Sequence, residues 1–191
     1  MTYEEILAAA RRGSESIDFS RFRFAFTRTN AYAPYDVEAL EEDQTLEEAA
    51  RASDWKSMLA QARAALERCY VRVRPHLYAA AACEALGDAV EQRHHEQCSR
   101  GLLTSILNSG DGRTPDTAFV VIGVWEEYDV LNALKLQLTH QALLPVGDRQ
   151  VDQITVMSPE ASAPFNLYFD VTIPKTMLQR GLEELNGSGD E

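Results

Sequence analysis

Hydrophobic positions in the first half of the chain recur at helical spacing, whereas after Gly112 they run together or alternate. Thr2 stands three residues ahead of Glu5, the spacing of a capping box. Ile6, Leu7 and Ala10 then give a short apolar face that Gly13 can end. Residues 14–35 lack helical period: Phe22, Phe24 and Phe26 alternate with Arg21, Arg23 and Ala25, the pattern of a strand or of an extended arm laid on the domain. From residue 45 to about 107 the spacing predicts helices. Asp54 is placed to cap one that carries Trp55, Met58, Leu59, Ala62, Ala65 and Leu66. Pro75 suits the first turn of the next, where its missing N–H costs nothing; Gly87 can stop it and Asp88 can cap a third helix through Leu102, Leu103 and Ile106.

Beyond Gly112, residues 118–124 form a nearly unbroken apolar run, which predicts a central strand. A short helix is expected at 126–134 and a second strand at 136–144. A hairpin of 153–157 with 166–172 is joined by "SPEASAP", and a closing helix spans 175–185. The expected architecture is α+β: N-terminal helical hairpins packed on a small C-terminal mixed β-sheet with helices, in one compact unit. Its parts are an N-terminal helix with an aromatic and basic arm (1–35), a helical-hairpin part (36–108), a sheet part (109–185) and a polar tail (186–191). Between the two halves lies "NSGDG". The order here is helix, turn, strand, with no Gly-Lys-Ser/Thr, so a phosphate-binding loop is excluded. Gly110 and Gly112 are expected to supply positive φ at a helix end and turn, Asp111 to close the turn, and the segment to act as a hinge.

Composition changes the picture mainly through charge. The 191 residues carry 18 basic and 30 acidic side chains, a net charge of −12. That opposes nucleic-acid binding, which needs Lys and Arg to release counterions. The acid concentrates at 36–54, where Arg51 is the sole cation among Asp36, Glu38, Glu41, Glu42, Asp43, Glu47, Glu48 and Asp54. These carboxylates read as a solvated face or as a docking surface for a basic protein, with Glu38, Glu41, Glu42, Asp43, Glu47 and Glu48 as its candidates. No apolar run approaches the ~20 residues of a membrane span, and the acidic N-terminus is unlike an export signal. Cys69, Cys83 and Cys98 lack CxxC spacing and read as buried thiols of a cytoplasmic protein.

Two resemblances emerge from the residues. "DWKSMLAQARAALERCYVRVRPHLYAAAACEALGD" resembles a tetratricopeptide unit of about 34 residues, of which the chain has room for about one and a half. "GLLTSILNSGDGRTPDTAFVVIGVWEEYDVL", "LYFDVTIP", "YVRVRPHLYAAAACEALGD" and "HHEQCSRGLL" resemble a bacterial domain-of-unknown-function family, number four-nine-one-nine. "FRFAFTRTNAYAPYD" is similar to its motif LRxAYTxTxxYxPY, with Phe22 in place of the leucine and Phe26 in place of a tyrosine. The likeness spans about 18–182. It implies shared architecture and brings no activity with it.

Candidate chemistry is sparse. His76 and His95 fall on positions that match the family pattern and are expected on neighbouring helices. Either they bond buried backbone, or they join Asp111 and a carboxylate of the Glu126–Glu127 pair in a pocket at the junction of the two halves. Glu91 and His95, like His94 and Cys98, are spaced i,i+4, but no third or fourth ligand follows, so no metal and no cofactor are expected. Glu126 and Glu127 read as charges at a helix N-terminus or as an acid–base pair. Arg23 and Tyr35 of the aromatic segment complete the candidate binding set. The expectation is a non-enzymatic cytoplasmic protein that docks a protein partner; an immunity-type inhibitor of a basic partner is its concrete version. The alternative is a small enzyme or ligand-binding protein.

Overall fold

The computed structural model describes residues 1–35, 37–160 and 163–187, without the side chains of 37–40 and 180–187. The expected polar tail therefore lies largely outside the described residues, as do part of "SPEASAP", Asp36 and the Glu38 side chain. The chain divides into two compact units, Met1–Ser105 and Ile106–Glu191. Helices precede a four-stranded mixed sheet, an α+β arrangement.

The first unit holds α1 (Tyr3–Arg11), α2 (Phe19–Phe26), α3 (Val37–Arg51), α4 (Trp55–Arg68), α5 (Val73–Leu86) and most of α6 (Ala89–Leu107). Its helix ends follow local chemistry. The Glu5 N–H donates to Thr2 Oγ1 while Glu5 accepts from the Thr2 N–H, a complete capping box. Asp54 accepts from the Ser57 N–H at 3.1 Å, and Asp88 from the Glu91 N–H at 3.1 Å. Gly87 ends α5 in the left-handed region, φ 80°. Leu46, Met58, Ala62, Ala79 and Ala82, all excluded from water, knit α3, α4 and α5 together. Alanine at four of the contact positions from Ala49 to Ala82 lets these helices approach closely.

The expected extended arm is a helix. Asp18 accepts from the Arg21 N–H at 2.9 Å and starts α2. Phe22 and Phe26, read as alternate residues of a strand, instead stand one turn apart on one face, each 1% exposed. Both pack on Tyr3, with ring centroids at 5.2 and 5.4 Å. Helix α3 is held by charge. Arg72, 2% exposed, donates to Glu42 at 2.6 Å and to Asp43 at 2.5 Å. Arg74 reaches Asp43 and Glu47, and Arg68 reaches Glu42. Three of the carboxylates expected to dock a partner are thus engaged within the fold.

The second unit contains β1 (Phe119–Val120), α7 (Val124–Ala133), β2 (Gln137–Val146), β3 (Arg149–Met157), β4 (Phe165–Asp170) and α8 (Thr172–Gly187). The strand order is β1-β4-β3-β2, with β1 parallel to β4 and the other pairs antiparallel. The apolar run at 118–124 is therefore a two-residue edge strand, not a central one. Its hydrophobicity belongs to the segment after the strand: Val121 and Ile122 are fully buried where the chain turns into α7. The face made by Ile154, Val156, Leu167 and Phe169 is the core side of the sheet.

The glycine turn is bonded into this unit. The Asp111 and Gly112 N–H groups donate to the Thr117 carbonyl, the Tyr168 N–H to the Gly112 carbonyl, and the Val120 N–H to Ser109 Oγ. Gly112 has φ +66°, as expected; Gly110 does not adopt positive φ. Gly110 is required for a different reason: a Cβ there would lie 2.4 Å from the Thr117 carbonyl oxygen and 2.5 Å from that of Ala118.

Removing one member of a buried ion cluster strands the others, whereas removing both charges relieves the desolvation as well. Arg72→Leu is therefore expected to destabilise the first unit by about 3–5 kcal/mol. The double replacement Arg72→Leu with Asp43→Leu should recover a large part of that loss, both measured by urea denaturation.

Candidate functional site

The first unit brings His76 of α5 and His95 of α6 into direct contact: their Nδ1 atoms are 2.9 Å apart, and the residues are 0% and 4% exposed. His76 Nε2 lies 3.0 Å from the backbone carbonyl of Tyr70. That carbonyl can only accept, so Nε2 of His76 carries the proton and donates. Burial, and then the neighbouring His95, push His76 down to about 3, so its ring is neutral and its Nδ1 is a bare acceptor. The proton between the two rings must therefore belong to His95 Nδ1. Burial, and then His94 and Arg63, push His95 down to about 4, which leaves it neutral as well. Its Nε2 is consequently an unprotonated acceptor, 3.9 Å from Glu91 Oε2.

His95 is at the wall of a cavity of about 240 Å³ that Arg11, Arg63, Glu67, Tyr70, Glu91 and His94 also line. The Tyr70 hydroxyl pairs with His94 Nε2 at 2.7 Å, and the Arg11 guanidinium stands over the Tyr70 ring at 5.5 Å. Arg11 also bonds Glu67 at 2.7 Å, and Arg63 lies 3.8 Å from Glu91. Arg11, Leu66, Glu67 and Tyr70 form the wall toward a wider hollow of about 750 Å³. Tyr70, Arg11, Arg63, His94 and Glu67 were not singled out from the sequence as site residues. The family pattern at His76 and His95, and the i,i+4 spacing of Glu91 with His95 and of His94 with Cys98, pointed to this face.

The second unit separates the two glutamates. Glu126, 0% exposed, turns back to accept the Ile122 N–H at 2.8 Å, a local role at the start of α7. Glu127, also 0% exposed, is closed in beside Asp152. Burial, and then Asp152 on β3, raise it well above the usual carboxylate range, against the opposing pull of Lys175. Asp152 is the acceptor within reach of its proton, and it already accepts from Gln141 Nε2 at 2.7 Å. Asp111 closes its turn as expected: its Oδ1 takes the Arg113 N–H and the Thr117 hydroxyl, which hold it below the ordinary carboxylate value. Arg23 is fully buried, its Nη1 donating to Ser105 Oγ at 3.3 Å, and Tyr35 is exposed. Glu41 and Glu48 are exposed. Among the described residues, no group of three or more His, Cys, Asp or Glu side chains is placed to hold a metal ion.

A carboxyl whose folded value lies above its unfolded value of 4.5 binds its proton more tightly in the native state. Stability contributed by Glu127 is then full below that value and is lost as pH rises toward the folded one. In Glu127→Gln the amide N–H replaces the acid proton at every pH. The variant should flatten the alkaline side of the thermal stability profile, with about 2–4 °C gained there for each kcal/mol relieved. An unchanged slope would show that Glu127 is not the titrating group.

Comparison with known proteins adds the family. No curated protein and no solved structure matches the chain. Residues 15–180 match the family model described as "Domain of unknown function (DUF4919)", and the chain belongs to that family.

Proposed function

We propose that the helical unit binds a small polar molecule and that the protein performs no chemistry on it. The reading rests on one observation: the bonded series from the Tyr70 carbonyl through His76 to His95 leaves an unprotonated Nε2 at the wall of a charged cavity. An imidazole held near 4 is a weak base at neutral pH, poorly matched to proton abstraction, which favours groups titrating near the working pH. As a hydrogen-bond acceptor it serves at any pH above its own value. The ligand therefore carries an O–H or N–H for His95, and an acidic group for Arg11 or Arg63. The ion pairs of those arginines with Glu67 and Glu91 are exposed, and such pairs are worth about 0–1 kcal/mol, so a carboxylate can displace them at little cost.

The test is a thermal-shift screen of small hydroxy and amino acids, followed by long-range ¹H–¹⁵N spectra of the histidines. The spectra should show His76 protonated on Nε2 and His95 on Nδ1, and a binder should move the His95 Nε2 resonance. Replacing His95 with Phe should weaken that binder at least about tenfold. No compound that moves the resonance, or a His95 proton on Nε2, would end the proposal.

A second reading, docking of a basic protein by this acidic chain, is favoured by the net charge of −12 and by exposed Glu41 and Glu48. All three cysteines are free thiols, which supports a cytoplasmic setting for either reading, and no described helix is long and apolar enough to cross a membrane. On this second reading a stoichiometric basic protein copurifies from the native host, and it dissociates as salt is raised. Recovery of the chain alone, or salt-insensitive capture, counts against it.

A further inference from the structure

The cavity beside His95 is small. Its volume of about 240 Å³ is below the ~300–1,000 Å³ of ordinary ligand pockets, whereas the adjoining hollow of about 750 Å³ lies within that range. The two share Arg11, Leu66, Glu67 and Tyr70. The wider hollow adds an apolar wall and further cations. Tyr3, Leu7, Phe26 and Leu66 make the wall, and the Tyr3 ring is fixed by packing on Phe22 and Phe26. Arg28 and Arg68 join Arg11 against Glu4 and Glu67, so positive side chains outnumber negative ones in a chain whose net charge is −12. Arg11 is matched by Glu67 and Arg68 by Glu42, whereas the exposed Arg28 meets no carboxylate among the described residues.

We propose that the two hollows form one binding site for an elongated dicarboxylic acid, with a hydroxyl or amine beside its inner carboxylate, an apolar middle, and its outer carboxylate at Arg28. The proposal rests on His95 as the acceptor for a small polar ligand and extends that ligand in one direction. The inner O–H or N–H goes to His95 Nε2, and the carboxylate next to it to Arg11 or Arg63. A carboxylate that takes Arg11 displaces Glu67 from an exposed, weakly held pair on the wall between the hollows. The apolar middle then lies along Leu66, Tyr3 and Phe26, and the outer carboxylate gives Arg28 the partner it lacks.

The experiment is titration calorimetry of the full chain with 2-hydroxysuccinate, 2-hydroxysebacate and 2-hydroxydecanoate, each also followed at the His95 Nε2 resonance. 2-Hydroxysebacate should bind at least about tenfold more tightly than either of the others, and excess 2-hydroxysuccinate should displace it. Arg28→Gln, at an exposed position, should erase its advantage over 2-hydroxydecanoate and leave the affinity for 2-hydroxysuccinate as it was. If 2-hydroxysuccinate moves the resonance but neither the longer chain nor its outer carboxylate improves binding, the joined site is overturned and the role of His95 stands. The same holds if Arg28→Gln leaves 2-hydroxysebacate unaffected. Binding of 2-hydroxysebacate that does not move the resonance shows two separate hollows and also overturns the joined site. Failure of all three to bind overturns it together with the role of His95.

Discussion

An ionisable side chain without access to water must find a partner or give up its charge, and both units are arranged around that constraint. Arg72 keeps its charge because Glu42 and Asp43 meet it in the interior, and in doing so it fastens α3 to the rest of the first unit. Burial outweighs the two arginines even there, lifting Asp43 above its ordinary value. His76 and His95 take the other course and are neutral, and burial and then Asp152 push Glu127 toward its protonated form. The choice differs because a guanidinium cannot release its proton, whereas an imidazole or a carboxyl can change state near neutral pH.

The histidine pair and Glu127 have different consequences. The histidine series is bonded inward and ends at His95, on the wall of a cavity. Glu127 is closed in beside Asp152, away from water, and opens onto no cavity among those described. The same pressure explains why Glu126, its neighbour in sequence, differs so sharply: successive helical residues point about 100° apart, and only one direction meets the Ile122 N–H.

Much of the fold was legible because helix ends are written in short-range chemistry. Thr2 with Glu5, Asp54, Gly87 and Asp88 each act within a few residues, and each does what its spacing predicts. Phe22, Phe24 and Phe26 were misread because a spacing of four satisfies both a strand face and a helix face. The Asp18 cap was the signal that separates the two. The run at 118–124 was read as central because burial looks alike in a strand and in a turn tucked under a helix. Gly110 was assigned to backbone torsion when the true reason is two carbonyl oxygens that come from residues 117 and 118. The site was legible only as isolated histidines. That His76 and His95 touch, and which nitrogen holds each proton, depends on the Tyr70 carbonyl and on packing between α5 and α6, which no local spacing encodes.

Along the path from His95 through His76 to the Tyr70 carbonyl, every hydrogen points the same way. The outer nitrogen carries no hydrogen, so it can accept one without any inner one changing hands. The polarity of the outer nitrogen is therefore set from within, by a backbone carbonyl that can only accept.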